Sequence, residues 1–302
     1  MLEDRIAELP ETRLRQPEAI AEAAAARRRA ASALGEGGQT MIIAVDHPAR
    51  GMLKAGAREM AMADRGDLLE RTCLALSRPG VDGVMGTPDI LEDLLLLGVL
   101  DGKVVFGSMN RGGLTGASWE IDDRFTAYDA ETIAAMGFDG GKMLTRIDLG
   151  DPATAPTLEA SARAVDALAD RRLIAMIEPF MAFHDESGRV RTELTTDAAI
   201  KASVIAAALG RTSAYTWLKV PVVDEMERVA AATTLPTVLL GGEVSDDPDA
   251  AYSAWGAALR APNVIGLVVG RSLLYPPDDD VTAAVDAAVG LLPRPAPSPA
   301  SP

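Results

Sequence analysis

The sequence predicts an α/β fold, a closed (β/α)8 barrel. Three observations carry this expectation. Eight short apolar runs alternate with longer amphipathic segments. Strand–helix alternation means parallel strands joined by crossover helices. The 302 residues suit a barrel, which as a single domain takes about 250 residues. The competing architecture is an open doubly wound sheet. It calls for a Gly-rich dinucleotide fingerprint after the first strand, and "AVDHPARG" is not one.

The runs are, in order, "MIIAVDH", "VDGVMGT", "KVVFGSM", "GGKMLTR", "LIAMIEP", "YTWLKVP", "TVLLGGE" and "VIGLVVG". Helices are expected between them, near 67–77, 87–98, 129–136, 156–170, 195–209, 223–233 and 247–260, with a last one near 280–292. "TPDILEDLLLL" and "TTDAAIKASVIAAAL" carry helix-start chemistry, a Thr with Asp inside the first turn. Before the barrel, the Ala-rich stretch 16–34 reads as one helix ended near Gly35, with Pro17 at its start and acids ahead of arginines. The expected organisation is an N-terminal helical extension over 1–38, a barrel over 39–292 and a disordered Pro/Ser/Ala tail over 293–302.

Composition narrows the function classes. The net charge is −15, a field that repels nucleic acid and anionic membranes, so neither is expected as a partner. No run reaches the roughly 18 apolar residues of a membrane span, and no signal peptide is evident, so a cytoplasmic location is expected. The single cysteine, Cys73, precludes an intrachain disulfide and reads as core.

Chemistry in such a barrel gathers at the C-terminal ends of its strands. The first run ends in Asp46–His47, the fifth in Glu178 and the sixth in Lys219; the fourth contains Lys142. Singly, each has a bland reading, as a loop cap, a strand exit or a snorkelling lysine. Together they predict one pocket holding Lys142, Lys219, Glu178 and Asp46, an expensive arrangement for a purely structural core. A lysine amine attacks carbonyls only when deprotonated, and a desolvating pocket beside a second cation promotes that. Lys219 is therefore the expected Schiff-base nucleophile, with Glu178 moving protons and Asp46 orienting a hydroxyl or holding a lysine. The seventh and eighth strand ends supply Gly241, Gly242, Ser245, Gly270 and Arg271, where barrels of this class commonly bind phosphate. A sugar phosphate is the expected partner.

Other residues carry weaker signals. His184 sits in a polar stretch expected to face water. Asn110, Arg111 and Arg124 lie in a long segment expected to shape substrate choice. Asp46, Glu178 and Glu243 form an alternative magnesium set, although no metal or cofactor is required by the covalent reading. A sugar-phosphate binder without catalysis is the reading from another class.

The stretches "AVDHPARGMLK", "GFDGGKMLTRID", "LIAMIEPFMAFHDE", "TWLKVPVV", "LLGGEVS" and "VIGLVVGRSLLY" resemble the class I, Schiff-base aldolases of the (β/α)8 type. That group holds tagatose 1,6-bisphosphate, sulfofructose-phosphate and archaeal-type fructose-bisphosphate aldolases. The resemblance covers residues 40 to 275 in the family's order. It implies that Asp46, Lys142, Glu178 and Lys219 inherit the catalytic roles, Gly270 and Arg271 the phosphate, and that the protein is a homo-oligomer. Two departures bear on substrate: His47-Pro48-Ala49 intervenes before Arg50, and Glu243 adds an acid beside the phosphate site. Within the group the chain looks most like an actinobacterial branch associated with inositol breakdown. That likeness implies cleavage of 6-phospho-5-dehydro-2-deoxygluconate to dihydroxyacetone phosphate and malonate semialdehyde. Arg50, Lys54 or Arg111 would then meet the carboxylate.

Overall fold

A computed structural model describes residues 1–110, 113–245 and 247–293. The eight apolar runs become eight parallel barrel strands: β1 (Thr40–Ala44), β2 (Gly83–Gly86), β3 (Val104–Ser108), β4 (Gly140–Ile147), β5 (Ile174–His184), β7 (Thr216–Val220), β8 (Thr237–Leu240) and β9 (Val264–Val269). They pair in chain order, and the β1–β9 and β4–β5 pairings close the ring. The fold is a (β/α)8 barrel. The strand β6 (Val190–Thr192), which periodicity did not predict, folds back antiparallel onto the end of β5.

Alternation along each strand sorts the core into two layers. Inward residues such as Ile42, Met85, Phe106, Met176, Trp217 and Val268 fill the barrel. Outward residues such as Ile43, Ile177, Leu218 and Val269 pack under the helices. Those helices are α3 (Arg65–Ser77), α4 (Pro88–Leu96), α5 (Ala130–Ala135), α6 (Thr154–Ala169), α7 (Thr196–Ala207), α8 (Met226–Ala231), α9 (Pro248–Ala258) and α11 (Val281–Val289). A short turn of helix, α10 (Arg271–Leu274), follows β9. Side-chain caps start several of them, as Thr195 accepts from the Ala198 N–H and Asp129 from the Thr132 N–H. Among the described residues no helix is long and apolar enough to cross a membrane.

The N-terminal expectation needs correction. Residues 16–34 are not one helix. Only α2 (Ala19–Ala26) lies within that stretch, stopping at Arg27, and a separate helix, α1 (Leu2–Arg15), precedes it. Tertiary bonds override alanine's helix propensity there. The buried Arg27 guanidinium donates to the carbonyls of Lys103 (2.9 Å) and Gly137 (2.6 Å), just ahead of β3 and β4. Ala30, Ala33 and Leu34 then pack against the interior cluster. The extension thus closes the barrel floor and is continuous with its core. The expected tail lies, from residue 294 onward, outside the described residues.

Candidate active site

Strand alternation aims the charged residues at one point. On β7, Trp217 faces inward and Leu218 and Val220 outward, so Lys219 stands in the barrel above Trp217. By the same parity Glu178 follows Met176 on β5, and Asp46 follows Ile42 and Ala44 after β1. Lys142 enters from β4, level with Met176.

The four side chains form one chain of ion pairs. Lys142 Nζ lies 2.7 Å from Asp46 Oδ2 and 2.6 Å from Glu178 Oε2. Lys219 Nζ donates to Glu178 Oε1 at 2.7 Å. Lys142, Glu178 and Lys219 are all buried. Two ammonium groups and two carboxylates balance, which makes such burial tolerable.

The two lysines are not equivalent. Burial lowers the pKa of the Lys142 amine, but its two carboxylates outweigh that and the net shift is upward. Burial also lowers Lys219. Its one shared carboxylate does not compensate, and Lys142 pushes it further down. Burial alone would raise Glu178 and Asp46, but the lysines beside them hold both below their ordinary carboxylate values.

A cavity of about 440 Å³ opens above this cluster, and Lys219 and Glu178 line it while Lys142 and Asp46 do not. Asp46 therefore holds a lysine. Gly241, Gly242, Gly270, Arg271 and Arg50 also line the cavity. Gly270 is there because a Cβ would sit 2.3 Å from the Ala44 carbonyl and 3.1 Å from His47 Cε1. Arg271 is buried and, among the described residues, has one long bond, Nη1 to the Lys54 carbonyl at 3.3 Å, and no partner for its Nε. Arg50 Nε is likewise buried without a partner among the described residues. Both arginines line this cavity, and their charge suits an anion there.

Several expected residues fall elsewhere. Ser245 is exposed, does not line this cavity, and accepts the Asp247 N–H at 3.0 Å ahead of α9. Asn110 is buried and clamps Leu144, donating to its carbonyl at 2.7 Å and accepting its N–H at 3.0 Å. Its role is to hold β3 against β4. Arg124 pairs with Asp122 at the surface, and Arg111 lies outside the described residues. Lys54 is exposed and pairs with Glu59. His184 is exposed, as expected, and its Nδ1 also lies 2.9 Å from Asp148 Oδ2. Glu243 is exposed at the cavity rim, where its charge acts on Arg271. The alternative magnesium set does not fit, because Asp46 and Glu178 already converge on the Lys142 ammonium.

Sequence reading missed Arg146. It lines the cavity from β4 and pairs with the buried Glu120. Its signal was parity: four residues after Lys142 on one strand, it faces the same way. It also passed over Thr192 and Leu194 of the β6 segment, which form part of the cavity wall.

Residues 38–289 match the Cgl0159-like family. The chain belongs to the Cgl0159-like family. The crystal structure of Cgl0159 from Corynebacterium glutamicum is 54% identical to this Cgl0159-like chain, with 96% of this chain and 97% of that one covered and a TM-score of 0.92. A Schiff-base-forming fructose-1,6-bisphosphate aldolase superposes with a TM-score of 0.63 at 18% identity, covering 86% of this chain and 96% of its own. An archaeal fructose-1,6-bisphosphate aldolase, with its catalytic Lys covalently bound to the carbinolamine intermediate, gives 0.62 at 17% identity, again covering 86% and 96%. At those identities the likeness is one of fold. No curated protein matches the Cgl0159-like sequence.

Proposed function

We propose that this chain is a class I aldolase, a lyase that cleaves a phosphorylated keto sugar or keto acid through a Schiff base on Lys219. The observation that carries this reading is the pair of unequal lysines. One is saturated by carboxylates behind the cavity wall; the other reaches the cavity with its pKa lowered by burial and by its neighbour. Folds of the same kind in two Schiff-base aldolases are consistent with it.

The chemistry follows from the positions. Neutral Lys219 Nζ adds to the substrate ketone carbon to give a carbinolamine. Glu178, 2.7 Å from that nitrogen, relays a proton from nitrogen to the carbinolamine oxygen, and a second proton, taken up from solvent, lets that oxygen leave as water and the iminium form. The iminium then accepts the electron pair of the adjacent carbon–carbon bond while a base takes the proton of the distal hydroxyl. An aldehyde departs, and the enamine is protonated at carbon and hydrolysed. Lys142 keeps its charge throughout and sustains the positive potential that favours a neutral Lys219. Arg271, with the Gly241, Gly242 and Gly270 backbone, receives the phosphate.

The finer reading is 6-phospho-5-dehydro-2-deoxygluconate as substrate, giving dihydroxyacetone phosphate and malonate semialdehyde. Its carboxylate end meets Arg50 and Arg146. Sulfofructose phosphate, tagatose bisphosphate and fructose bisphosphate are the alternative substrates. The test is borohydride trapping with dihydroxyacetone phosphate, followed by intact mass and peptide mapping. A reduced adduct on Lys219, absent from Lys219→Met, is the expected result. Bound ligand without an adduct would leave a non-catalytic sugar-phosphate binder.

A further inference from the structure

The aldolase cycle requires a base at carbon as well as at nitrogen and oxygen. Arginines do not serve, and Lys219 is occupied as the nucleophile. Among the described residues lining the cavity, with no tyrosine or cysteine in that set, this leaves Glu178, Glu243 and His47. Glu178 is bonded to both lysines through its two oxygens. Glu243 sits exposed at the rim, on the Arg271 side.

His47 differs from both. It opens the 3-10 turn His47–Arg50, where Pro48 at the second position fixes the chain direction. Its ring lies against Gly270, where a Cβ would come within 3.1 Å of Cε1. The Nδ1 edge is buried, makes no hydrogen bond among the described residues, and faces Asp46 Oδ1 at 3.8 Å. The carboxylate favours the tautomer with its hydrogen on Nδ1, as an oriented histidine requires. Nε2, on the ring edge away from Asp46, then carries the lone pair, and His47 lines the cavity.

We propose that His47 is the carbon base of this site, taking the proton from the carbon next to the iminium. The inference rests on the aldolase reading above. In the step, Nε2 takes the proton and the carbon–hydrogen electron pair moves into the C=N bond. Iminium becomes enamine and the imidazole becomes imidazolium; reprotonation of the enamine reverses it. In the free protein, burial outweighs the attraction of Asp46 and, helped by Arg271, Lys219 and Arg50, holds the His47 pKa at about 3. The ring is therefore uncharged and ready to accept. A phosphate dianion on Arg271 offsets one of those cations and makes His47 more basic when substrate is present.

The test separates the two proposals. Wild type, His47→Gln and His47→Asn are given dihydroxyacetone phosphate in deuterium oxide, and exchange of its carbon-bound hydrogens is followed by NMR. Borohydride trapping is run on the same samples, with circular dichroism to check folding. The expected result is a normal Lys219 adduct in all three, with exchange slowed about 10²–10⁴-fold in both variants, the usual worth of a general base. Trapping with unchanged exchange in either folded variant overturns the role of His47 and leaves the aldolase reading standing. Loss of trapping in folded variants also overturns it, by assigning His47 to imine formation. Failure of the wild type itself to trap removes both proposals.

Discussion

The floor and the mouth of the barrel both bury arginine, but they treat its donors differently. At the floor, the terminal nitrogens of Arg27 go to the carbonyls of Lys103 and Gly137, with a longer contact to Leu100. At the mouth, Arg271 makes a single 3.3 Å bond among the described residues, and its buried Nε has no partner there. Nε of Arg27 is unbonded as well, so the contrast lies in the terminal nitrogens. The lysines repeat the pattern, Lys142 with two carboxylates and Lys219 with half of one. A buried donor left unmade costs about 1–3 kcal/mol. The Arg27 Nε carries that cost away from the cavity, whereas Arg271 and Lys219 line it, and a ligand there can complete their donors. Saturated cations here hold the fold, and unsaturated ones face the cavity.

The largest effects should come from the lysines, and in different quantities. Lys219→Met is expected to abolish turnover and trapping while folding nearly as well as wild type, because Glu178 keeps Lys142 as its partner. Lys142→Met strips the shared cation from the buried Glu178 and the half-buried Asp46. It should cost about 3–5 kcal/mol, roughly 10 °C in Tm. Thermal melts of the two variants check this. Equal losses of stability would break the distinction between the saturated and the unsaturated lysine.

How much of this was legible depends on which force decided each feature. Parallel strands buried on both faces read as apolar runs, so all eight barrel strands were visible, and Lys219 and Glu178 stood out because burial makes charge conspicuous. Features set by distant partners were hidden. The stop at Arg27 depends on carbonyls more than 70 residues away, and the Asn110 clamp on a backbone 34 residues away. Neither leaves a local pattern. Arg146 was legible by parity, yet its buried partner Glu120 lies in a segment without period. The β6 segment, three residues long, is too short to show alternation.

The arginine contrast predicts a smaller, separable pair of effects. Arg271→Met should raise KM for a phosphorylated ketone roughly 10–100-fold, the worth of a charge-assisted hydrogen bond, and leave the melting temperature near that of wild type. Arg27→Met should do the reverse, losing about 1–3 kcal/mol with KM unchanged, since the carbonyls it serves lose their donors. Steady-state kinetics and denaturation on the same two variants decide it. A KM effect from the floor arginine would mean that the ends of the barrel are coupled.

The smallest predicted effect is a slope. Glu178 is held below its ordinary 4.5, and His47 falls from 6.5 to about 3. In both cases the unfolded chain binds the proton more readily, so stability rises with pH across each interval. The His47 contribution is fully present above pH 6.5 and is lost as pH falls toward about 3. The Glu178 contribution is present above 4.5 and is lost below it. Urea titrations of wild type should therefore show stability declining from pH 6.5 downward, with a steeper fall below 4.5. His47→Gln should flatten the limb between 4.5 and 6.5 and keep the fall below it. An unchanged upper limb would mean that His47 titrates normally in the folded protein. The uncharged ring at the cavity wall, and the contrast between a saturated floor and an unsaturated mouth, would then lose their electrostatic basis at that residue.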